Sequence, residues 1–393
     1  MSLADNKYDI IIAGAGPAGS STSIRLTHSG LKVLLVEQKK FPRPKLCGEF
    51  ISPECLAHFA DLNVLDEMQV DSTEIDRTVF FARNGRAVAV PSEWFTSGSY
   101  AMGLSRAQMD DRLLKRARET GAVVLEDTAA AALLFDGDVV NGLRLKNGTE
   151  TFEVRAPLVI DATGRARILS RDIEKRNGGQ RRKRADFVAF KAHLENVAIN
   201  DGDCEIYGYR GGYGGCSRVE GGLHNLCFIV SAELAREHKG DAHAIMRNVV
   251  FGNRRAAESL KDARILGEWL AVPIENYGRA ELAPAEGLLA IGDAAAFIDP
   301  FTGSGILLAL ENAKVAAEVI ADQMAKPFGS LADEYAQRYR SAFDHRLRIS
   351  SVVRAAAFAP FLAEIVVRTL SLSEWLTRRL ARATRRAEPL SHP

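Results

Sequence analysis

Residues 8–38 read YDIIIAGAGPAGSSTSIRLTHSGLKVLLVEQ. A β-branched run, Ile10 to Ile12, meets Gly14, Gly16 and Gly19; helical spacing follows, then a second apolar run ending in Glu37. This is G-x-G-x-x-G in its strand–turn–helix–strand context, and that context carries the argument. Gly14 makes the tight turn, Gly16 lets backbone approach a pyrophosphate, and Gly19, next to Ala18, lets the helix pack against the strand. Glu37 stands 23 residues beyond Gly14 at the tip of the second strand. There it can accept hydrogen bonds from both ribose hydroxyls of a dinucleotide lacking a 2′-phosphate.

The remaining chain is that of a soluble two-subdomain protein. It has 393 residues, 47% hydrophobic and 26% charged, with 51 Lys and Arg against 50 Asp and Glu. A net charge of +1 sets up no global field for nucleic acid, so none is expected as a partner. Five scattered cysteines without a C-x-x-C point to a reducing cytosol rather than to a disulfide framework or zinc site, and no metal is expected. No basic leader precedes the first strand and no apolar run reaches spanning length, which reads as cytoplasmic.

Two later segments return to the nucleotide fold. Short β-rich pieces between Ala122 and Val159 read as a meander that leads back into PLVIDATGR, with Asp161 and Gly164 at a strand end. The second is LLAIGDAAAFIDPFTGSGILLAL, residues 288–310, where Gly292-Asp293 ends a strand and Gly303 and Gly305 precede a helix expected over about 304–322. A nicotinamide dehydrogenase needs neither return, whereas an extended FAD must be held at its far end as well.

With these landmarks the sequence resembles flavoproteins of the p-hydroxybenzoate-hydroxylase fold over nearly its whole length. The resemblance implies FAD as cofactor, Asp293 bonded to a ribityl hydroxyl, and Gly303, Gly305 and Ile306 presenting backbone N–H groups toward the flavin. It also implies Arg106, opening the helix in GLSRAQMDDRLLKRARETGAVV, beside the flavin, and Val124 near the adenine. Aromatic hydroxylases follow the late aspartate with Ala-Ala-His and a double proline. Here the run is D-A-A-A-F-I-D-P-F-T-G, which looks like the geranylgeranyl reductase branch, whose members reduce double bonds of polyprenyl chains. The segment FPRPKLCGEFISP, residues 41–53, has the cysteine of that branch at Cys47 and the Gly-Glu of flavin-dependent halogenases at Gly48-Glu49; the halogenase W-x-W-x-I-P signature is absent.

The expected architecture is α/β. A Rossmann-like FAD-binding domain (1–72, 100–185, 276–330) is interrupted by the β-meander; a second β-sheet substrate domain takes 73–99 and 186–275, and residues 331–393 are helical. The expected activity is reduction of a carbon–carbon double bond in a prenyl or lipid-like substrate; a monooxygenase or halogenase acting on a secondary metabolite is the alternative. Cys47, then Glu49, are the catalytic candidates. Such a reduction needs an external reductant such as NAD(P)H or ferredoxin, expected to bind transiently because no second G-x-G-x-x-G is present. Tyr207, Tyr209 and Tyr213 either line a pocket or are hairpin aromatics, and the single histidines, His193 among them, read as packing or surface residues. Arg181 to Arg184 read as a solvated loop. At the C-terminus, Leu372, Trp375, Leu376 and Leu380 alternate with Arg378, Arg379, Arg382, Arg385 and Arg386. Such a helix either packs with a solvated arginine face or lies peripherally on an anionic membrane.

Overall fold

The computed structural model describes residues 7–96, 99–179, 185–275, 278–299, 301, 303–357 and 360–383; the basic run 181–184 and Arg385 and Arg386 lie outside the described residues. Its centre is a five-stranded parallel sheet in the order Leu288–Ala290, Leu158–Asp161, Ile10–Ala13, Val33–Val36, Val123–Leu125. The Ile10–Ala13, Val33–Val36 and Leu158–Asp161 strands are buried throughout, because helices cover one face and the meander covers the other. The meander comprises Thr128–Asp136, Val139–Asn147 and Glu150–Arg155. Val123–Leu125, read from sequence with those β-rich pieces, instead forms the sheet's edge, Leu35 opposite Val124.

A second, seven-stranded sheet has the order Arg264–Ile274, Phe187–Glu195, His224–Ser231, Gly212–Arg218, Asp203–Tyr209, Arg77–Phe81, Ala87–Pro91. The segments either side of the meander meet here, Arg77–Phe81 running parallel to Asp203–Tyr209. Thr73–Ile75, assigned from sequence to this domain, pairs with Ala101–Gly103 in a separate small sheet.

The helix Gly305–Gln323 packs on Pro17–His28, and Phe328–Ala357 packs against it in turn. Asn312 ties these together: its Oδ1 accepts from Gly292 N–H at 2.6 Å, its Nδ2 donates to Tyr335 Oη at 2.8 Å, and that hydroxyl donates to Ala290 O at 2.9 Å. Pro360 opens the next helix, Pro360–Ser371, where its missing N–H costs nothing, and Glu374–Ala383 ends the described chain. No helix of the described residues is long and apolar enough to cross a membrane.

Candidate functional site

Three distant turns close on one another at the carboxyl ends of the parallel strands. Gly14 has φ of +104°, and a Cβ there would lie 2.3 Å from Ala162 O, so head and middle turns touch through backbone. A Cβ at Gly19 would lie 1.9 Å from Gly14 O. Gly292, with φ of +59°, brings the late turn against Ala18, where an added Cβ would be 2.7 Å from the alanine methyl. Gly16 differs: its nearest neighbours across space are Arg106 Nη2 and Lys45 Nζ, each 3.9 Å from the position of an added Cβ. The Pro17–His28 helix has no side-chain cap, so its leading N–H groups and two cations converge on that turn. This is a cradle for a diphosphate, and the residues present fit FAD.

From this turn a cavity of about 530 Å³ runs past Asp293, Gly303, Gly305 and Ile306, under the seven-stranded sheet, to the two C-terminal helices. Gly16, Ala18, Cys47, Glu49, Arg106 and Gly164 line it as well. Glu37 is buried beside the turn; its Oε2 accepts from Ala15 N–H at 3.0 Å and its Oε1 from Lys39 N–H at 3.1 Å. Asp161 is engaged within its own turn. Its Oδ1 accepts from the Thr163 N–H and hydroxyl and its Oδ2 from the Ser170 N–H and hydroxyl. With its acceptors spent there, Asp161 braces the turn, while Ala162 and Gly164 reach the cavity. Val124 lies on the edge strand next to that of Glu37 and is not among the cavity-lining residues.

The electrostatics are concentrated at the cradle end. Arg106 is buried and bonded through Nε and Nη2 to Asp110, at 2.9 and 2.7 Å. Burial works against its charge, but Asp110 and then Cys47 outweigh it and push its pKa up. Burial pushes the Lys45 amine down, with Arg106 adding to the effect and Asp110 and Asp293 opposing it. Burial likewise pushes the Asp293 carboxyl up, against the pull of Lys45, Arg165 and Arg106.

Glu49 is fully buried in the left-handed region, φ 54°. Its carboxylate accepts from Arg106 N–H at 2.8 Å and from Lys191 Nζ, and it is joined to His193 Nε2 at 2.7 Å. Burial would raise its pKa; the hydrogen bond of His193 and the charge of Lys191 outweigh this and hold it below the usual carboxylate range. His193, read from sequence as a packing or surface residue, thus has a buried carboxylate as its partner. Glu49 N–H also donates to Cys47 Sγ at 3.4 Å, and Asn225 Nδ2 donates to Cys47 O at 3.1 Å.

Tyr209 and Tyr213 line the cavity, whereas Tyr207 is buried behind it with its hydroxyl donating to Glu205. Tyr213 Oη donates to Asp299 Oδ1 at 2.6 Å, joining the second sheet to the D-P-F-T-G loop. Sequence reasoning missed Lys45, Lys191 and Asp299. Lys45 sits two residues before Cys47, and Lys191 and His193 alternate on one strand face, a spacing that signals a shared direction but not a partner. No group of three metal-ligating side chains occurs among the described residues.

The family model described as FAD binding domain matches residues 7–347. The chain belongs to that family. It is thus a flavoprotein oxidoreductase built to bind FAD. Among curated proteins, the digeranylgeranylglycerophospholipid reductase of Methanosarcina mazei is 28% identical over 365 residues, covering 89% of this chain and 84% of the relative. A menaquinone reductase of Mycobacterium tuberculosis is 27% identical, covering 94% and 89%. Among solved structures, the flavin-dependent brominase Bmp2 aligns with a TM-score of 0.81 at 19% identity, covering 96% of this chain and 94% of that one. A geranylgeranyl bacteriochlorophyll reductase-like protein of Thermoplasma acidophilum aligns at 0.75 and 20%, covering 90% and 88%. At these identities the structural matches speak for the fold.

Proposed function

We propose that this flavoprotein reduces an isolated carbon–carbon double bond in a prenyl or lipid-like chain. The observation that carries this reading is the far half of the cavity, walled by Phe80, Phe81, Val88, Val90 and Leu370 and continuous with the cradle. An apolar chain fits such a wall through burial alone, at roughly 25 cal/mol per Å² of apolar surface. The named reductase relatives support the same substrate class.

When bound and reduced with two electrons from an external donor of the NAD(P)H or ferredoxin class, FAD would supply hydride to one alkene carbon, and a proton must reach the other. Cys47 is the proposed proton donor, since it lines the cavity with its sulfur beside the Arg106 guanidinium and is re-protonated from water. Glu49, its carboxylate already engaged, is the proposed positioning residue that fixes the Cys47 loop. The monooxygenase or halogenase alternative shares the fold. One experiment separates the two: anaerobically reduced, FAD-loaded protein is mixed with geranylgeranyl lipid or with oxygen. The reductase reading expects the lipid to reoxidise it and to gain two hydrogens; reoxidation by oxygen with incorporation of oxygen or halide into an organic substrate, and none by lipid, overturns it. Peripheral contact with a membrane belongs to the same proposal, because a prenyl lipid resides there.

A further inference from the structure

The two C-terminal helices present different chemistry on their two sides. Val367, Leu370, Thr377, Leu380 and Ala381 line the apolar end of the cavity. Of the six large hydrophobic side chains exposed among the described residues, Val366, Leu372, Trp375 and Leu376 lie on or between these helices, so exposed apolar surface is gathered in one place. Leu372 is 81% and Trp375 66% exposed. On Glu374–Ala383, Trp375, Arg378 and Arg379 recur at helical spacing on the side away from Thr377 and Ala381, and the Arg379 guanidinium lies 5.3 Å from the Trp375 ring centroid. Glu374 is the one acid of that helix. Leucine and tryptophan beside clustered arginines are complementary to the headgroup region of an anionic bilayer.

The last helix meets the body beside the strand Ala87–Pro91 and the turn that follows it. Arg382 Nε donates to Trp94 O at 2.8 Å, in the short turn Ser92–Trp94. The preceding helix is held through Val367, which packs with Ala82 and Val88. Thr377 Oγ1 donates to Leu370 O at 2.8 Å and Ser373 O at 3.0 Å, so the bend between the helices is stiffened from inside.

We propose that Pro360–Ser371 and Glu374–Ala383 seat the protein on an anionic phospholipid bilayer, and that a lipid tail passes directly from that bilayer into the cavity at the seam between the last helix and the Ser92–Trp94 turn. The docking stands on the outer surface; the passage rests on the lipid-chain reading of the cavity given above. The test uses the full-length, FAD-loaded protein with vesicles of phosphatidylcholine alone or mixed in equal parts with phosphatidylglycerol. Flotation with the mixed vesicles, a blue shift of tryptophan emission and release by salt are expected. In the double variant Leu372→Glu, Trp375→Glu, affinity should fall by at least about tenfold while FAD affinity and thermal midpoint stay unchanged. Equal binding to both vesicle types, no binding, or a dimer that the double variant dissolves overturns the docking and, for the dimer, assigns the patch to a second copy. For the passage, a dansylated geranylgeranyl probe should enter the cavity faster with mixed vesicles, and several-fold faster still in Arg382→Ala. Docking with unchanged probe uptake overturns the passage alone, whereas docking with no probe binding under any condition overturns the lipid-substrate reading.

Discussion

The two ends of the cavity are built on different principles. At the cradle end the walls are backbone: Gly14 against Ala162, Gly19 against Gly14, Gly292 against Ala18, with fixed charges at Arg106, Asp110, Lys45 and Asp293. At the far end the walls are side chains, Phe80, Val88, Val90 and Leu370, contributed by a sheet and by a helix from distant parts of the chain. Backbone walls admit one residue type, so they leave a spaced pattern in the sequence; side-chain walls require only apolar bulk, which many residues supply. The lesson is that cofactor identity is written sharply here and substrate identity diffusely.

The largest expected effect comes from cutting what fastens the two ends together. Glu49 belongs to the cradle-side loop and Lys191 and His193 to the second sheet. Glu49→Gln leaves a buried ammonium without its counter-charge and should cost about 3–5 kcal/mol in urea denaturation at neutral pH. Its folded pKa is depressed below 4.5, so the stabilisation is complete above that pH and is lost as pH falls through the folded value. The gap between wild type and variant should therefore close on acidification; a gap independent of pH would remove the ionic account.

Next in size is Gly19→Ala. With Gly14 O only 1.9 Å from the new methyl, the helix must shift off the turn. FAD affinity should fall about a hundredfold, ~2.8 kcal/mol, in a fluorescence titration. Retained affinity would show that the turn is not the diphosphate seat. A smaller, opposite pattern is expected from Val90→Phe: binding of a geranylgeranyl chain weaker by about tenfold, with FAD affinity changed less than about twofold. If FAD binding fell in parallel, the two ends would not be separable. The mildest is Tyr213→Phe, which removes the hydrogen bond to Asp299 and should cost about 1 kcal/mol in a thermal melt.

The legible parts of the molecule follow from the same contrast. The parallel sheet and the three turns could be read because glycine and strand periodicity act locally. The partners of Asp161 could not: a carboxylate at a strand end looks the same whether it faces a cofactor or, as here, bonds to Thr163 and Ser170. Nor could His193, whose partner Glu49 lies 144 positions away. The pairing of Thr73–Ile75 with Ala101–Gly103 was not legible either, because a three-residue strand carries too little pattern to choose between two sheets.

The bond chain through Asn312, from Gly292 to Tyr335 and back to Ala290, has a bearing on biosynthesis. The first and last strands of the parallel sheet begin at residues 10 and 288, and the late turn is locked by a tyrosine still further along. A ribosome-bound fragment that already displays its glycine fingerprint therefore has only one jaw of the grip. Flavin capture therefore waits until residue 335 has left the ribosome, and a nascent chain arrested before Tyr335 should emerge colourless.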